Sequence, residues 1–94
     1  MVVTKYFDWD SHKNEKLQQE RDVCFEDIIV AIDENKLLDI VVHKNKTKYP
    51  HQKMFIIDIN NYAYLVPFVE DEKKVFLKTI IPSRAATKKY LIKK

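Results

Sequence analysis

Ninety-four residues with 46% hydrophobic and 12% aromatic side chains specify one folded domain with a single modest core, and exclude a disordered chain. No apolar run reaches membrane-spanning length, and Met1-Val2-Val3-Thr4-Lys5-Tyr6 lacks the apolar stretch of a secretory signal. One cysteine excludes an internal disulfide, so a cytoplasmic protein is the default expectation, with neither a membrane nor a cofactor implied.

The net charge of +3 is unevenly spread. Residues 1–50 hold eight Lys/Arg against ten Asp/Glu, and residues 51–94 hold nine against four. From Ser83 onward there are five cations and no acid. Such a basic side suits a polyanion, although terminal lysines also serve solubility.

Taken in chain order, Val3–Trp9 reads as a strand, and Asp10 as the cap of an exposed, charged helix reaching Arg21. Cys24-Phe25-Glu26-Asp27 stands where a capping box stands, ahead of Ile28, Ile29, Ala31 and Ile32, which fit a short helix lying on a core. Asn35 is the expected left-handed terminator, since the chain has no glycine. Four strands follow: Leu37–His43, Lys53–Ile59, Tyr62–Val69 and Val75–Ile81. Asn60-Asn61 signals a two-residue hairpin, and Glu70–Lys74 a longer charged one. Pro67 cannot donate to a ladder, which predicts a bulge or frayed pairing opposite it. Leu77–Pro82 then runs into a Ser83-capped helix carrying Arg84, Lys88, Lys89 and Tyr90. The expected architecture is α+β: an antiparallel four- to five-stranded meander with two N-terminal helices and one short C-terminal helix.

Three features bear on chemistry. Lys44, Lys46 and Lys48 alternate with polar residues before Tyr49, Pro50 and His51, a long acid-free connection of the kind that carries function. Arg84 at a helix start can offer a planar cation to a phosphate, or it can be one charge of a solvated basic face. Cys24 at a helix start can ionise more easily, or can be a small buried hydrophobe. The histidines and the cysteine lack the short spacings of structural zinc sites.

Phe7-Asp8-Trp9-Asp10, Lys13, Val23-Cys24-Phe25-Glu26-Asp27 and the closing Ile81-Pro82-Ser83-Arg84-Ala85-Ala86-Thr87 together resemble the BrnT family of type II toxin–antitoxin toxins. The resemblance spans nearly the whole chain. It departs from the family pattern in three places: Glu20-Arg21-Asp22 stands for Lys-His-Gly, Ala85 for a second arginine, and Gln52-Lys53-Met54 for Glu-Arg-Trp. It implies a RelE-like fold, metal-independent mRNA cleavage that arrests translation, free or on the ribosome, and an antitoxin partner encoded alongside.

Such cleavage needs a 2′-hydroxyl activated, a dianionic phosphorane-like state stabilised and a leaving oxygen protonated. Arg84, Lys53 and Lys78 are the expected phosphate ligands. His51 is the expected proton-transfer residue, because neighbouring cations favour its neutral form, with His43 second and His12 solvated. Lys44, Lys46, Lys48, Lys88 and Lys89 are the expected RNA-binding cations, with Tyr49 and Tyr90 stacking on bases. Tyr62 and Tyr64 share a strand face and read as core or partner-interface residues. Both faces of Tyr62–Val69 are apolar, which predicts an antitoxin dock or a homodimer contact. The alternative is a catalytically inactive RelE-like protein-binding module acting with an antitoxin in operator binding.

Overall fold

The computed structural model describes residues 5–42 and 53–92. After the short strand β1 (Tyr6–Asp8), helix α1 (Ser11–Arg21) starts where the Asp10 carboxylate accepts the Lys13 N–H at 2.9 Å. It ends at Asp22, which takes the left-handed conformation (φ 57°) that glycine usually supplies and that aspartate tolerates better than most residues. Helix α2 (Phe25–Asp33) begins with the Asp27 carboxylate accepting the Cys24 N–H at 3.0 Å. It closes on Asn35 at φ 64°, with the Lys36 N–H donating to the Ala31 carbonyl and the Asn35 N–H to that of Ile32. This is a full Schellman stop built without glycine.

Strands β2 (Leu37–Val42), β3 (Lys53–Ile59), β4 (Tyr62–Glu70) and β5 (Lys74–Leu77) form the expected antiparallel meander. Asn60 and Asn61, at φ 55° and 66°, make the tight turn between β3 and β4. The sheet as a whole is mixed, in the order β1-β5-β4-β3-β2, because β1 adds to β5 in parallel. This corrects the purely antiparallel expectation. Both N-terminal helices and three strands lie between β1 and β5, which is ample chain for the crossover that a parallel pair requires.

The expected disturbance opposite Pro67 is present. Strand β5 leaves the β4 ladder at Leu77, opposite Phe68, and the chain rejoins it as β6 (Ile81–Pro82), with Ile81 opposite Leu65. Four steps on one side match three on the other, a one-residue bulge centred where proline has no N–H to give. The Pro67 carbonyl still accepts the Lys78 N–H at 2.8 Å. Ile80 drops fully into the core.

Helix α3 (Arg84–Tyr90) follows β6. One sheet face buries Phe55, Ile57, Val66, Phe68, Val75 and Leu77 against Leu17, Val23, Phe25 and Ile28 of the N-terminal region. The other buries Ile56 and Ala63 against Ala86 of α3, with Leu38, Val41, Leu65, Tyr90 and Leu91 packed around them. Tyr62 and Tyr64 lie on the first face in edge contact, ring centroids 5.8 Å apart, and Tyr64 packs on the core. No helix among the described residues is long and apolar enough to cross a membrane.

Candidate functional site

The orientation of α3 follows from a few bonds. Ser83 donates its N–H to the Ala63 carbonyl at 3.0 Å, and its hydroxyl accepts the Ala86 N–H at 3.1 Å. The buried Thr87 hydroxyl accepts the Ala63 N–H and donates to the Ser83 carbonyl, both at 2.8 Å. Ala86 and Thr87 are thus fixed inward, which leaves Arg84, Ala85, Lys88 and Lys89 exposed. Arg84 and Lys88 stand one helical turn apart on that open side. The ion pairs among the described residues are Lys5 with Glu70, Lys53 with Glu70 and Lys74 with Asp8, so Arg84, Lys88 and Lys89 have no ion-pair partner there.

The three expected phosphate ligands are spread along β4. Ser83, next to Arg84, pairs at the row of Ala63, whereas Lys53 pairs at the row of Phe68, five residues and about 17 Å further along the strand. Lys53 also lies on the α1–α2 face, across the sheet from α3, with its ammonium 3.5 Å from a Glu70 carboxylate oxygen. Lys78 is exposed at the bulge, at the row of Pro67, roughly 13 Å along β4 from Ala63. His43, Lys44, Lys46, Lys48, Tyr49 and His51 lie outside the described residues. His12 is exposed on α1, as expected.

Tyr90, expected as a base-stacking residue, is half-buried and engaged within the chain. Its hydroxyl donates to an Asp39 carboxylate oxygen at 2.6 Å, its ring packs on the second core, and the Lys89 ammonium lies 5.4 Å from the ring centroid. The Tyr90 hydroxyl, the Ile40 N–H and nearby Lys89 hold the Asp39 carboxyl below its ordinary range. Asp39 in turn pushes the Tyr90 phenol up. Sequence reasoning missed Asp39, although a single acid within Leu37–Val42 was a signal.

Arg21 was also missed as a contact. Its guanidinium donates to the Ile80 carbonyl at 2.6 Å, tying the end of α1 to the bulge. Its position in the last turn of a helix was the available hint. Cys24 is half-buried, and its thiol is pushed up by burial first and by the nearby Glu26 and Asp27 carboxylates, which runs against easier ionisation at a helix start. Among the described residues, no three His, Cys, Asp or Glu side chains converge as metal ligands.

Compared with protein-family models, with curated proteins and with solved structures, the chain has no match. What the structure offers a polyanion is the Arg84–Lys88 side of α3.

Proposed function

We propose that this chain is an RNA-directed toxin of the BrnT-like, RelE-like kind, a metal-independent endoribonuclease restrained by a cognate antitoxin. The observation that carries the reading is the open cation pair Arg84 and Lys88, one turn apart and without a carboxylate partner among the described residues. Asp22 adds support, because it is left-handed where the resembled pattern has glycine. In the proposed chemistry the 2′-hydroxyl attacks phosphorus, the 5′-oxygen leaves, and the Arg84 guanidinium neutralises charge gathering on the phosphate oxygens. His51 would take the hydroxyl proton and return it to the leaving 5′-oxygen, so that the step ends in a 2′,3′-cyclic phosphate and a 5′-hydroxyl. Lys78, exposed about 13 Å along β4 from Ala63, would hold a neighbouring phosphate, whereas Lys53, across the sheet and beside Glu70, lies off that path.

Inducing the chain in bacteria without its antitoxin tests this. Growth arrest with loss of full-length mRNA is expected, abolished by Arg84→Ala and poorly restored by Arg84→Lys, because lysine lacks the planar two-point fork. An equally toxic, folded Arg84→Ala variant would move the active site elsewhere. The second reading, an inactive protein-binding module, is favoured by the distance between Lys53 and Arg84. Harmless expression together with stable capture of the antitoxin would establish it.

A further inference from the structure

We infer that Arg21 is a second phosphate ligand, which with Arg84 grips neighbouring phosphates of one RNA strand across the open rim at β6. The inference deepens the RNA reading of Arg84 and rests on it. Arg21 and Arg84 are the chain's two arginines among 17 Lys and Arg residues. Both meet one short stretch of chain. The Arg21 guanidinium donates to the Ile80 carbonyl at 2.6 Å, and Arg84 follows four residues later, at most about 13 Å along an extended backbone. Between them lies β6, two exposed residues paired with β4, with no strand on the outer side among the described residues. The arginines thus reach the same rim from opposite faces of the sheet, one from α1 and one from α3.

The bond to Ile80 orients the Arg21 guanidinium without neutralising it. A carbonyl takes up one of its N–H donors and leaves the charge uncompensated, and exposed Arg21 has no ion pair among the described residues. A planar fork already held in place loses less freedom on meeting an oxyanion than a free lysine does. The neighbouring acid is engaged elsewhere: an Asp22 carboxylate oxygen accepts the Gln18 amide at 3.0 Å, and Asp22 lines a hollow with Asp27 and Asp58. The rim itself brings no acid, since the chain has neither Asp nor Glu from Lys73 onward. Exposed Lys78 lies two residues before Ile80, so Arg21 fills the gap between Lys78 and Arg84 in a track of cations of the kind a single strand follows.

The test is fluorescence-anisotropy binding of the purified full chain to a short single-stranded RNA over a series of salt concentrations. The RNA carries 2′-O-methyl groups, which remove the attacking hydroxyl. Arg21→Gln keeps an N–H for the Ile80 carbonyl but drops the charge. It should weaken binding roughly tenfold and flatten the log–log salt slope by about 0.7. Arg21→Lys should keep the slope, and Lys16→Gln, at an exposed cation of the same helix, should change neither quantity. In the wild type, nitrogen-15 NMR should show two arginine Nε signals, both shifting as RNA is added, that of Arg21 being the one absent from Arg21→Lys. This measurement decides the matter should Arg21→Gln fail to fold. An Arg21 signal that stays in place while that of Arg84 moves overturns the inference and leaves Arg84 its role. A wild-type slope in folded Arg21→Gln, or an equal loss in Lys16→Gln, does the same. Weaker binding at unchanged slope overturns it too, by making Arg21 a strut for the bulge. A chain in which both signals ignore RNA overturns the RNA reading and this inference with it.

Discussion

Asp39 and Tyr90 show how much one exposed pair can organise. Their bond fastens the last described helix to an edge strand that is distant in sequence. Because the Asp39 carboxyl is lowered, its contribution is present above the unfolded-state value and is lost as pH falls through the folded-state one. The Tyr90 phenol is raised, so its contribution holds below the ordinary tyrosine value and is lost as pH rises through the folded-state one. Tyr90→Phe should therefore lower stability most between these two limits. Urea midpoints of the variant and wild type should converge in acid, where Asp39 is protonated. A constant gap across that acid limb would assign the loss to packing alone.

At the scale of elements, a chain without glycine still makes left-handed turns, using Asp22, Asn35, Asn60 and Asn61 among the described residues. These side chains tolerate positive φ because their short polar groups bond locally. Asn60→Val should cost about 1–2 kcal/mol in chemical denaturation, since a β-branched residue at φ 55° clashes with its own backbone. Asn60→Gly should be close to neutral. Pro67 acts in the same local fashion. It removes one donor, the β5–β6 segment bulges there, and the Arg21 guanidinium meets the carbonyl of Ile80 that the bulge presents.

Across the whole molecule, the sheet separates charge. The N-terminal helices with their surplus of acids cover one face, and α3 with Arg84, Lys88 and Lys89 covers the other. A polyanion would therefore approach from the α3 side. RNA affinity should fall steeply as salt rises, because each neutralised phosphate releases counterions. Lys88→Glu should weaken binding for every RNA sequence and flatten that slope, as a filter-binding series over ionic strength would read directly. A salt-independent affinity would place the contact on uncharged groups.

Local chemistry was legible in the residues alone. The Asp10 and Ser83 caps, the Asn35 stop, the Asn60-Asn61 turn and the Pro67 bulge each depend on a few neighbouring atoms, and each occupies its expected place. The two apolar sides of β4 were legible too, because strand alternation assigns faces without knowing the partners. Of the site, the exposed Arg84 and Lys88 could be read from the Ser83 cap and the helical period. Lateral order could not be read. That β1 lies parallel beside β5, that Lys53 faces away from α3, and that Asp39 meets Tyr90 depend on strand order and register. Those are decided by burial shared among elements remote in sequence, which no local pattern records.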